Sequence, residues 1–86
     1  MAYGIVLQTG AELRVGKEAC NAWHLKRFAP ANLSLPSGTI VKVIQSTKDQ
    51  AIVVVTELPD NAGDGEVIVG LRVRVTYVYF DNLNPI

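Results

Sequence analysis

The stretch Gly65-Glu66-Val67-Ile68-Val69-Gly70-Leu71-Arg72-Val73-Arg74-Val75-Thr76-Tyr77-Val78-Tyr79-Phe80 decides the fold class of this chain. Apolar residues, interrupted by none of the charged ones, occupy every odd position from Val67 to Tyr79. That is the period-two signature of a strand with one buried face. The even face is mixed: it carries Arg72, Arg74 and Thr76, but also Ile68, Val78 and Phe80. Both faces of the strand's ends therefore call for cover. Gly70 is a natural place for a bulge or corner at which so long a strand bends.

Upstream of it, residues 59–65 form a turn region with two glycines. Residues 51–58 (Ala-Ile-Val-Val-Val-Thr-Glu-Leu) are a nearly continuous apolar run, the pattern of a strand covered on both faces. Residues 46–49 have the length of a hairpin connector, and residues 39–45 are a strand rich in β-branched side chains. Residues 30–38 read as a loop by their breaker content. Nearer the start, residues 3–9 and 12–15 read as two short strands. Residues 17–28 are ambiguous. Ala19, Ala22, Trp23 and Lys26 would share one helical side and Pro30 would stop a helix, so the segment is read as one short helix or an irregular excursion. The tail, residues 81–86, reads as a turn whose Leu83 and Ile86 fold back on the barrel's end.

These elements predict an all-β chain of five or six strands. Gly38-Thr39-Ile40-Val41 after a loop, then a hairpin, then a closing Leu83-Asn84-Pro85-Ile86 is an arrangement that resembles small SH3-like barrels. The resemblance implies a fold and carries no function with it. A five-stranded OB-like barrel is the alternative, because it too needs a long bent strand.

Size and composition narrow the function. With 86 residues the chain has room for one core, so residues 1–86 are expected to form a single β-barrel domain. Hydrophobic residues make up 49% and charged residues only 19%, against about 25% charged in ordinary domains. That apolar surplus predicts a homo-oligomer. Eight basic residues cancel eight acidic ones, so no net field draws the protein to nucleic acid or to an anionic membrane. One cysteine, no signal-like start and no apolar run near the ~18–20 residues of a membrane helix point to a cytoplasmic protein with no membrane partner.

Catalytic and metal-binding patterns are weak. Cys20 and His24 would share a face if their segment were helical, which would permit a thiolate–imidazole pair. With no other Cys or His, zinc would need ligands from a second copy. The acidic stretch 60–66 fails as a calcium loop, because Ala62 takes a required ligand position and Leu71 falls where the bidentate Glu belongs. No catalytic residue, metal site or cofactor is assigned. The most functional string is Trp23-His24-Leu25-Lys26-Arg27-Phe28, two aromatics beside two cations and an imidazole, which Arg72 and Arg74 would extend. The leading expectation is a non-enzymatic module that self-associates through Ile68, Val78 and Phe80 and binds another macromolecule, with a protein partner possible and nucleic acid not favoured. A single-stranded nucleic-acid-binding barrel using Trp23, His24, Lys26, Arg27, Phe28, Arg72 and Arg74 is the alternative. A small enzyme with its site on an oligomer axis is the third.

Overall fold

Alternation of buried with more exposed side chains marks the strands among the described residues. The computed structural model describes residues 6–25, 33–60 and 67–86. Among them are seven strands: β1 (Glu12–Val15), β2 (Cys20–His24), β3 (Leu33–Leu35), β4 (Ile40–Ser46), β5 (Gln50–Glu57), β6 (Arg72–Thr76) and β7 (Leu83–Pro85). A 3₁₀ helix, Tyr77–Asn82, separates the last two. All pairings are antiparallel, in the spatial order β3-β2-β6-β5-β4-β1-β7. Leu33 and Leu35 at one edge and Leu83 at the other belong to the same buried cluster as Val41, Val43, Val53, Val55, Val73 and Val75. The sheet therefore curls into a half-barrel with its core on the concave side. No helix among the described residues is long and apolar enough to cross a membrane.

Three strands enter the sheet through the same device. Gly10, Gly38 and Gly70 have φ of 87°, 93° and 94°, a conformation glycine adopts without steric cost. Each occupies the third position of a turn closed by an N–H···O=C bond: Ala11 to Gln8, Thr39 to Pro36 and Leu71 to Ile68, each 3.1 Å. Each glycine N–H then donates to the carbonyl of a valine in a neighbouring segment, Val43, Val15 and Val55 respectively. That valine's own N–H returns a bond to the carbonyl of the residue after the glycine. The sequences share a pattern, Gly-x-x-(Leu/Val)-(Arg/Lys)-Val, at 10–15, 38–43 and 70–75. The two apolar positions are buried in all three. The basic position, Arg14, Lys42 or Arg74, lies on the other side of the sheet.

Several expectations need correction. Residues 20–24 are neither helical nor irregular; they form β2, with Cys20 and Ala22 buried and Asn21 exposed. Helix propensity is a weak prior, and pairing with both β3 and β6 overrides it. Strands β3 and β7 raise the number from five or six to seven, in segments read as loop and turn. Their prolines did not forbid pairing, since Pro36 follows β3 and Pro85 lies on the edge strand β7, where a missing N–H costs no ladder bond. Residues 6–9 carry no strand; residues 3–5 lie outside the described residues. The long strand is also interrupted twice. Gly70 turns the chain at one end, and the 3₁₀ helix begins at Tyr77, where the backbone N–H donates to Asp49 O (2.9 Å).

Candidate functional site

Register fixes which side chains share the convex face of the sheet. Trp23 stands opposite Arg74, Arg74 opposite Ile52, and Ile52 opposite Gln45, a row that runs over β2, β6, β5 and β4. One pleat along, a second row runs Arg72, Val54, Lys42 and Glu12 over β6, β5, β4 and β1. Directly opposed residues in an antiparallel pair have Cβ atoms about 4.5–5.5 Å apart. The two rows therefore hold Trp23, Ile52 and Val54 among three cations, Arg72, Arg74 and Lys42. Among the described residues no ion pair engages any of these cations. Glu12 closes the second row at its far end, and Glu57 lies beyond it opposite Ile40.

A bulge between Val43 and Gln45 leaves Ile44 as the extra residue of β4, and Ile44 is exposed at the margin of the same face. Beside it, Gln45, Ser46, Thr47, Gln50 and Ile52 line a recess of about 30 Å³. Small-molecule sites are typically ~300–1,000 Å³, so the recess is a dimple in a surface and no substrate pocket.

Of the residues singled out in the sequence, the fold brings Trp23, Arg72 and Arg74 together on this face. It does not bring His24 there. His24 pairs with Val73, whose side chain is buried, so His24 lies on the concave side at the rim. Lys26, Arg27 and Phe28 lie outside the described residues. The sequence reading missed Lys42, Ile52, Val54 and Gln45. For Lys42 a signal existed: it occupies the basic position of the Gly-x-x-(Leu/Val)-(Arg/Lys)-Val pattern.

The expected interface trio does not form one patch. Ile68 and Val78 are exposed, at 56% and 61%, but Phe80 is 4% exposed and belongs to the core. A helix with three residues per turn sets residues two apart a third of a turn from each other, so Phe80 points in while Val78 points out. Ile68 and Val78 also sit beyond opposite ends of β6.

Cys20 is fully buried and free. Desolvation by burial pushes its thiol above the ordinary value, outweighing a hydrogen bond from Asn82 that pulls the other way; the nearby Glu18 charge adds to the rise. The sulfur is therefore a neutral thiol near neutral pH. As β2 is a strand, Cys20 and His24 are separated by roughly 13 Å at about 3.3 Å per residue, which rules out the thiolate–imidazole pair. Among the described residues no three His, Cys, Asp or Glu side chains group as metal ligands. Asn82 serves the fold instead: its Nδ2 donates to Glu18 O and to Cys20 Sγ, and its carbonyl accepts the Gly16 N–H (2.7 Å). Asn21 Nδ2 donates to Tyr79 Oη (2.8 Å), which ties β2 to the 3₁₀ helix.

Comparison with protein-family models, with curated proteins and with solved structures yields no match.

Proposed function

We propose that this protein is a non-enzymatic interaction module, a small barrel that self-associates and presents its convex sheet face to another macromolecule. The observation that carries the reading is the pair of rows across β2, β6, β5 and β4. They hold half-buried Trp23, Ile52 and Val54 between cations that have no ion-pair partner among the described residues. Within the small-barrel class we read the fold as SH3-like: β4 follows a loop, β5 completes a hairpin, and Leu83-Asn84-Pro85 closes the chain as β7. The buried free thiol of Cys20 fits a reducing compartment such as the cytoplasm.

Self-association and partner binding use different surfaces in this account. A two-fold interface sets a patch against its own copy, and on the convex face that would oppose Arg72, Arg74 and Lys42 to themselves. Like-charge juxtaposition is unfavourable. The exposed apolar residues at the ends of β6, Ile68 and Val69 on one side and Val78 on the other, carry no such penalty. Light scattering on the eluting protein at low and moderate salt tests this. The expected result is an oligomer insensitive to salt, with its mass reduced by Val78→Lys or Ile68→Lys. A monomer at both salt concentrations contradicts self-association and leaves the convex face as the working surface.

A further inference from the structure

We infer that the convex face binds single-stranded nucleic acid, with phosphates on Arg72, Arg74 and Lys42 and a base stacked on Trp23. This rests on the reading of that face as the partner-binding surface and names its partner.

Charge complementarity gives the class. Arg72 and Arg74 share β6, Lys42 lies on β4, the next strand but one, and all three face outward without an ion-pair partner among the described residues. Of the carboxylates near them in the register, Glu12 stands directly opposite Lys42 at the end of the second row and Glu57 lies beyond that row opposite Ile40, so neither neighbours Arg72 or Arg74. A zero net charge for the whole chain thus coexists with a local surplus on one face, and an extended anion meets the face, not the average.

Two features choose nucleic acid over an acidic peptide. Trp23 is a cross-strand neighbour of Arg74 and is half-buried, so part of the indole remains accessible beside a guanidinium. Bases stack on aromatic side chains irrespective of sequence, while the carboxylate side chains of an acidic peptide have no ring to place there. The apolar pair Ile52 and Val54 continues that surface towards Lys42. A duplex is disfavoured by shape. A major groove about 12 Å wide admits a helix or a two-stranded ribbon, and the cations here lie on a broad sheet face, on β6 and β4 with β5 between them. A single strand lies on such a face without entering anything.

The magnitude follows from the number of phosphates neutralised. On a single strand the slope of log K against log salt is about −0.7 per phosphate, so three cations predict a slope of about −2. Affinity should then fall roughly 16-fold between 50 and 200 mM salt. Replacing one arginine should flatten the slope by about 0.7.

The test is a titration of Trp23 emission with oligothymidylate, with the anisotropy of a labelled oligonucleotide as an independent readout. It is run on the full chain, on Arg72→Ala and on Arg74→Gln, each checked for an unchanged melting temperature. Poly-glutamate serves as the competing polyanion. The expected result is saturable quenching with the stated salt slope, weakened about 10-fold or more in each variant. Quenching that the variants leave unchanged overturns the assignment. Equal or tighter binding of poly-glutamate overturns nucleic acid as the partner but keeps the convex face as a binding surface. No response to either polyanion at low salt removes both the inference and the reading it rests on.

Discussion

Gly16 follows β1 with no unusual backbone angle, yet it has no room for a side chain. A Cβ at this position would lie 2.5 Å from Asn82 Oδ1, 2.8 Å from Asn84 Nδ2 and 3.1 Å from the Asn82 carbonyl oxygen. In Gly16→Ala the Asn82 side chain must move, and it is the group that donates to Glu18 O and Cys20 Sγ. Losing or stretching those bonds costs about 1 kcal/mol each, and forcing a methyl into an occupied site costs typically ~1–3 kcal/mol. The opposing gain, a stiffer unfolded chain, is only ~0.4–1 kcal/mol. At the low end of these ranges the net loss is about 2 kcal/mol. At roughly 4–8 °C per kcal/mol for a chain of this size, melting should fall by about 8–16 °C. Thermal denaturation followed by circular dichroism reads this, and Asn82→Ala supplies the control. If Asn82 is what the methyl strikes, Gly16→Ala should cost at least about 1 kcal/mol less in the Asn82→Ala background. A Gly16→Ala protein within ~0.5 kcal/mol of the parent, or additivity with Asn82→Ala, would refute the steric argument.

Other substitutions probe different links. Gly70→Ala meets nothing within 4 Å, so its cost is the left-handed backbone alone, about 1–2 kcal/mol, and Asn82→Ala should leave that cost unchanged in urea melts. Phe80→Ala should lose about 3–5 kcal/mol as a buried aromatic, whereas Val78→Ala should leave monomer stability within ~0.5 kcal/mol; chemical denaturation of both separates the inward from the outward position. The Cys20 thiol has a raised folded-state pKa, so its burial contributes stability that is fully present below the unfolded thiol's pKa and is lost as pH rises through the folded one. Stability should therefore drop in the alkaline range above the ordinary value of 9.0, and less so in Cys20→Ala; identical pH profiles would remove Cys20 from that account. For the same reason native Cys20 should resist alkylation at neutral pH and react at the ordinary rate once unfolded.

Legibility in the sequence tracked the strength of local pattern. Strands β1, β4 and β5 declare themselves through alternation or β-branched runs, and their observed bounds fall within one residue of the expected ones. β2 was obscured because alanine and leucine suggest a helix, although Cys20-Asn21-Ala22-Trp23 already alternates buried and exposed positions. β3 and β7 are three residues long and gain their stability from the strands they pair with, which no local window contains. The run 67–80 misled in the opposite sense. Its period-two pattern persists through the turn at Gly70 and into the 3₁₀ helix, because alternation is a statement about composition until hydrogen bonds choose the backbone. The Gly-x-x-(Leu/Val)-(Arg/Lys)-Val repeat was legible at 10–15, 38–43 and 70–75 and states in advance that Lys42 and Arg74 are equivalent. What no sequence window could supply is the convex face itself: Trp23 meets Arg74 only because β2 crosses to pair with β6, and Ile52 completes the row only because β5 lies on the other side.

The most direct test of the account is a map of backbone amide shifts in the ¹⁵N-labelled protein on addition of oligothymidylate or poly-glutamate. The account predicts that the larger shifts gather at Trp23, Lys42, Ile52, Val54, Arg72 and Arg74, with little change at Leu35, Cys20 or Leu83. Shifts gathered on the 3₁₀ helix and β7, or none with either polyanion at low salt, would contradict the claim that the convex face is where this protein works.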